Sequence, residues 1–144
     1  MTKVHILTVH VRTDKWIRPQ IDYLHKNVKN FKIWSFCDLI DLEPIKNNFD
    51  FCESSKIVGR PETKDHFLKL NKLVDIVVSH KDTSDDDVLI FLDSDSFPVK
   101  PLNNFIESKL NDYPLIAIQR VENAGDVIPH PSFTACRVNF WRDH

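Results

Sequence analysis

Residues 88 to 95 read Val88-Leu89-Ile90-Phe91-Leu92-Asp93-Ser94-Asp95, and this succession restricts the possible folds more than any other stretch of the chain. A short run that is apolar at every position, preceded by the strongly polar Lys81 to Asp87, predicts a strand buried on both faces and therefore central in a sheet. The strand delivers two aspartates at its C-terminal tip, with no basic residue beside them. Such tips are where open α/β sheets bind ligands.

The remaining pattern fits that frame. Val4 to Val11 is β-branched, is bounded by Arg12-Thr13-Asp14, and carries its polar members Thr8 and His10 near its C-terminal end, so it predicts another strand. Ile17, Ile21, Leu24 and Val28 recur at helical spacing, with Pro19 tolerated in the first turn. Phe31 to Phe36 predicts a second strand, and the order strand, helix, strand favours a parallel crossover and an α/β layer fold. From Cys37 to Glu62 the pattern weakens, leaving at most a short strand at Lys56-Ile57-Val58. Thr63 is placed to cap a helix running to about His80, whose apolar face comprises Phe67, Leu70, Leu73, Val74 and Val77. Pro98 and Pro101 then turn the chain into a short helix, Asn103 to Leu110, before a strand at Leu115 to Ile118. Gln119 to Pro131 reads as a polar loop, and Phe133 to Trp141 resumes an apolar pattern.

Composition removes several classes of function. The 144 residues are 42% hydrophobic and 28% charged, values of an ordinary globular chain, and no repeat or linker divides them, so residues 1–144 are expected to form one unit. With 19 basic against 21 acidic residues and no basic block, nothing provides a nucleic-acid footprint. No run approaches the roughly 18 apolar residues of a transmembrane span, and Met1 to Ile6 lacks the pattern of a secretory signal. A cytoplasmic setting is expected. Cys37, Cys52 and Cys136 are odd in number and irregularly spaced, which predicts reduced thiols. The two glycines, Gly59 and Gly125, exclude a P-loop or a GxGxxG turn.

The chemistry therefore rests on Asp93 and Asp95. Two carboxylates close together at a strand tip repel one another unless a cation joins them, and hard carboxylate oxygens suit Mg²⁺ or Mn²⁺. These ions complete their shells with water and phosphate, so the pair implies a phosphorylated ligand. A bare D-x-D reads first as a turn. The longer pattern, an apolar strand, D-x-D, Phe97-Pro98-Val99 and Pro101-Leu102, resembles the metal-binding segment of GT-A fold glycosyltransferases.

The resemblance implies a three-layer, Rossmann-like α/β/α nucleotide-diphospho-sugar transferase fold with a mostly parallel central sheet. It implies metal-dependent transfer of a sugar, of hexosyl type, from a nucleotide-diphosphate donor to a hydroxyl of a glycan, lipid or protein. Asp95 would coordinate the metal directly, and Asp93 would touch it through water or contact the ribose, with Ser94 beside them on the donor. Thr8 and His10 would line the nucleoside pocket. Asp38, ending the second strand, serves either the base or ribose or a cap. Of Lys64, Lys69, Asn71 and Lys72 on the long helix, one would face the diphosphate, with Lys72 the chosen candidate, although each taken singly reads as a solvated face. His66 reads as a helix-surface residue, and His130 as either an acceptor-side group or an idle loop residue.

The family continues further, with an acceptor-binding half, so a partial chain is expected here. Glu122 and Asp126 fall in the region of a catalytic base but have no geometry to assign them. Asp82, Asp85, Asp86 and Asp87 lack the glycine and terminal Glu of an EF-hand and read as a solvated loop. Two alternatives stand beside the transferase: a non-catalytic nucleotide-sugar-binding module, and a Mg²⁺-dependent haloacid dehalogenase-like phosphotransferase. The latter normally carries its aspartates on the first strand.

Overall fold

The computed structural model describes residues 2–57, 62–119 and 130–144. Its elements are β1 (Val4–Val11), α1 (Ile17–Asn27), β2 (Phe31–Asp38), a 3-10 turn (Lys46–Asn48), β3 (Phe51–Glu53), α2 (Glu62–Val78), β4 (Val88–Leu92), α3 (Asn103–Asp112), β5 (Leu115–Ile118), β6 (His130–Arg137) and α4 (Val138–Asp143). The strands form one sheet in the order β3-β2-β1-β4-β6-β5. β1 is parallel to β2 and β4, and β2 is parallel to β3. β6 runs antiparallel to β4 and β5.

The two-residue alternation of the central strands divides the core into two layers. Val4, Ile6, Val88, Ile90 and Leu92 pack with Ile17, Ile21 and Leu24 of α1 and with Ile106 and Leu110 of α3. On the opposite face, Leu7, Val9, Leu89 and Phe91 pack with Leu70, Leu73, Val74 and Val77 of α2 and with Val138 of α4. Every residue of β4 is buried, which is why the run needed apolar side chains on both faces. The expected three-layer α/β/α arrangement with a mostly parallel sheet is present. Cys37, Cys52 and Cys136 are free thiols. No helix among the described residues is long and apolar enough to cross a membrane.

Several boundaries differ from expectation. The third strand lies at Phe51–Glu53 and not at Lys56 to Val58; Lys56 has a φ of 59°, a left-handed conformation that a strand cannot hold, and Val58 lies outside the described residues. β2 continues to Asp38. α2 ends at Val78 and already includes Thr63, and Phe67, expected on its apolar face, is 49% exposed. The apolar stretch from Phe133 divides into the end of β6 and α4. His130 and Pro131, expected in a loop, open β6 instead, and its pairing with β5 slips between Ala117 and Ile118, close to a proline that has no N–H for the ladder.

Asp87 is not part of a solvated acidic loop. It is buried, accepting from the backbone N–H of Ser84 at 3.0 Å and from His5 Nε2 at 3.2 Å. Trp34 Nε1 donates to His5 Nδ1 at 3.0 Å, so the imidazole proton sits on Nε2, facing the carboxylate. Burial lowers the His5 pKa more than Asp87 raises it.

Candidate functional site

Topology gathers the site before any side chain does. From β1 the chain moves outward through β2 to β3, then crosses back to β4 on the other side of β1. The strand order thus reverses between β1 and β4, and the crevice at the carboxyl ends of such strands is the ligand position of open α/β sheets. β6, being antiparallel, returns with its first residues beside the tip of β4, where Phe91 pairs with Thr134. α2 covers the same tip from one face.

Asp93 is where these elements meet. Ser132 Oγ on β6 donates to Asp93 Oδ2 at 3.2 Å, and His66 Nε2 on α2 stands 3.5 Å from Oδ1. Ser132 Oγ also lies 2.7 Å from His130 Nδ1. A hydroxyl has one proton, so while Asp93 is ionised that proton goes to the carboxylate, and His130 Nδ1 accepts instead from the Ser132 backbone N–H at 3.1 Å. Burial pushes the Asp93 pKa up, but the nearby His66, then Ser132 and His130, outweigh it and hold the carboxyl below its ordinary value. In His66→Gln that imidazole is gone, and the Asp93 pKa is expected to rise. Carboxyl-carbon NMR over a pH series reads the shift; an unmoved titration contradicts the pairing.

Asp95 is exposed and makes no hydrogen bond or ion pair among the described residues. Ser94 is half-buried between the two aspartates. Among the described residues no group of three or more His, Cys, Asp and Glu side chains could enclose a metal unaided. Two carboxylates, one with both oxygens uncommitted, instead match a hard cation that takes its other ligands from water and phosphate.

The other candidates are placed differently. Thr8 and His10 lie at the C-terminal end of β1 but are 0% and 1% exposed, with Thr8 Oγ1 3.5 Å from His10 Nε2 and the His10 ring against Phe49. Burial pushes the His10 pKa down to about 4. Asp38 is fully committed to protein partners: Oδ2 accepts from Lys69 Nζ at 2.7 Å and Ser55 Oγ at 2.6 Å, and Oδ1 from Ser54 Oγ and the Ser55 N–H, each at 2.8 Å. Lys72 Nζ donates to the Ser55 carbonyl at 3.1 Å and lies over the Phe36 ring. Asp38, Lys69 and Lys72 therefore organise the Ser54-Ser55 turn against α2. Lys64 and Asn71 are exposed. Glu122 and Asp126 lie outside the described residues.

Two strand tips at this end are held in left-handed backbone. Arg12 follows β1 with φ 64° and Leu39 follows β2 with φ 59°, each costing about 1–2 kcal/mol relative to a right-handed residue. The Arg12 N–H donates to the Asp38 carbonyl at 3.0 Å, tying the two tips together.

His66, expected on the helix surface, stands beside Asp93 instead; its spacing with Leu70 and Leu73 along one helix face was the available signal. Ser132 was not, because only the antiparallel return of β6 brings it to Asp93.

No protein-family model and no curated protein matches the sequence. Solved structures do match it. The apo form of the glycosyltransferase GlyE from Streptococcus pneumoniae TIGR4 aligns with a TM-score of 0.65 at 19% identity, over 99% of this chain and 36% of that one. Mannosyltransferase PcManGT from Pyrobaculum calidifontis, in complex with GDP-Man and Mn2+, aligns with a TM-score of 0.60 at 11% identity, over 94% of this chain and 44% of that one. The chain has a glycosyltransferase fold. It spans less than half the length of either structure, and a second structure of GlyE gives the same alignment at a TM-score of 0.63 and 18% identity.

Proposed function

We propose that residues 1–144 are the nucleotide-sugar-binding part of a glycosyltransferase that uses Mn²⁺ or Mg²⁺ to move a hexosyl group from a nucleoside diphosphate to an acceptor hydroxyl. The observation that carries this reading is the position of Asp93-Ser94-Asp95, at the tip of β4 and the strand-order reversal of a glycosyltransferase fold. The complex of PcManGT with GDP-Man and Mn2+ supports a donor and cation of that kind. A cytoplasmic setting belongs to the same reading.

In this reading Asp95 binds the cation directly and Asp93 assists through water or the donor ribose, with Ser94 between them. The cation supplies charge neutralisation of the departing diphosphate, a contribution of several kcal/mol. The protein's own part is to keep Asp93 ionised and oriented through His66 and Ser132, and to hold α2 over the site through the Asp38–Lys69 pair.

Calorimetric titration of GDP and of UDP, with Mn²⁺ and again with chelator, tests the reading. One of the two is expected to bind only with the metal, and Asp95→Ala is expected to weaken that binding by roughly 100-fold or more without changing the melting temperature. Nucleotide binding that is indifferent to chelator and to Asp95→Ala contradicts it.

A further inference from the structure

The segment after β4 has no regular structure to satisfy its carbonyls, and α1 does so instead. Gln20 Nε2 donates to the carbonyl of Asp93 at 2.9 Å and to that of Ser96 at 2.8 Å. Asn27 Nδ2 donates to the carbonyl of Pro98 at 2.7 Å and to that of Tyr23 at 3.1 Å. Between them the Tyr23 ring stacks on Phe97, with centroids 4.8 Å apart. Gln20, Tyr23 and Asn27 are spaced by three and four residues, so they share one stripe of α1 beside its apolar one.

The orientation of the Gln20 amide is dictated by its partners. Both are carbonyls, which only accept, so the nitrogen must face them. Gln20 is 1% exposed, so each polar atom of its amide needs a use within the protein. The nitrogen serves the two carbonyls, and the side chain also acts on the His10 imidazole, raising its pKa against burial.

We propose that Gln20 is a positioning residue of the donor site: it fixes the Asp93 to Ser96 turn, with Tyr23 and Asn27 fixing the exit of the segment, so that Asp93 and Asp95 are presented ready for a cation. This rests on the metal-dependent donor reading above. Gln20 touches no reacting atom and acts through the backbone that carries the carboxylates. The Ser96 N–H, which donates to the Asp93 carbonyl at 3.0 Å, reports on the same turn.

The test compares Gln20→Met, which keeps length and volume but has no N–H, with Ile21→Val, which trims the core from the same helix without touching the turn. Amide exchange at Ser96 is expected to be faster by about tenfold or more in Gln20→Met than in Ile21→Val. The Kd for GDP or UDP with Mn²⁺ should rise about tenfold in Gln20→Met alone. Gln20→Glu supplies a second readout. Only its protonated carboxyl can donate to a carbonyl, so Ser96 protection, corrected for intrinsic exchange, should fall with rising pH in that variant and not in wild type. Ser96 exchange no faster in Gln20→Met than in the control overturns the proposal, and so does faster exchange with unchanged nucleotide affinity. Wild type that binds neither nucleotide with Mn²⁺ overturns the donor reading itself, and Ser96 exchange then still decides whether Gln20 holds the turn.

Discussion

Lys69→Met is expected to remove about 3–5 kcal/mol of folding stability, the cost of leaving a buried carboxylate without its cation. Asp38 and Lys69 have side chains only 3% and 5% exposed, so water does not replace the lost partner. Ser54 and Ser55 continue to donate to Asp38, but hydroxyl and amide dipoles do not cancel a full charge in a poorly solvated site. The sign of the pH dependence separates this cause from lost packing. In wild type, burial pushes the Asp38 pKa up, and Lys69, Ser55 and Ser54 bring it below its ordinary value. The pair therefore contributes stability above the unfolded pKa and loses it as pH falls through the folded one. Without Lys69, burial prevails and the folded pKa rises, so the deficit of Lys69→Met should shrink on acidification. Urea unfolding at pH 7 and pH 4 measures it. A deficit independent of pH, or one below about 1 kcal/mol as for an exposed pair, contradicts the role given to the ion pair.

His10 is expected to dominate the loss of stability between pH 6.5 and pH 4. Its folded pKa is pushed by burial from 6.5 to about 4. A folded pKa below the unfolded one means that only the unfolded chain gains a proton in this window, so stability falls as pH falls. The linkage relation gives a loss of about 2 kcal/mol by pH 5 and about 3 kcal/mol by pH 4 from this residue alone. His5, also lowered by burial, acts in the same direction, whereas Asp38 and Asp93 contribute at lower pH, their folded values lying below the ordinary range. His10→Gln, neutral throughout, is expected to flatten the stability profile between pH 7 and pH 5. An unchanged profile in that variant contradicts the assignment.

What could be read in advance was local, and what could not was set by distant parts of the chain. β4 was legible because burial on both faces demands apolar residues at every position, and α1 and α2 because a helix with one covered face repeats its apolar residues. β3 was not, being three residues long and marked by little beyond its neighbours. The β-branched run Val4 to Val11 located Thr8 and His10 at the strand end, but their enclosure depends on α1 and Phe49 packing over that face. Asp38 was found as a strand-ending carboxylate, yet its partners come from α2 and from the turn after β3. Asp87 looked like one more loop aspartate until His5 was placed beside it. Gln20 carried no signal, since its partners are main-chain carbonyls 73 and 76 residues away. The place of Asp93-Ser94-Asp95 was legible for the opposite reason: these residues follow β4 directly, so the strand alone fixes their position at its tip.

The central claim is that Asp93 and Asp95 hold the cation that binds a nucleoside diphosphate. Crystals grown with GDP or UDP and Mn²⁺, measured at the manganese absorption edge, test it most directly. The account predicts one anomalous peak in contact with an Asp95 oxygen, with the diphosphate completing its shell and His66 and Ser132 still on Asp93. A nucleotide bound with its phosphates away from the β4 tip, or manganese on other residues, would contradict it.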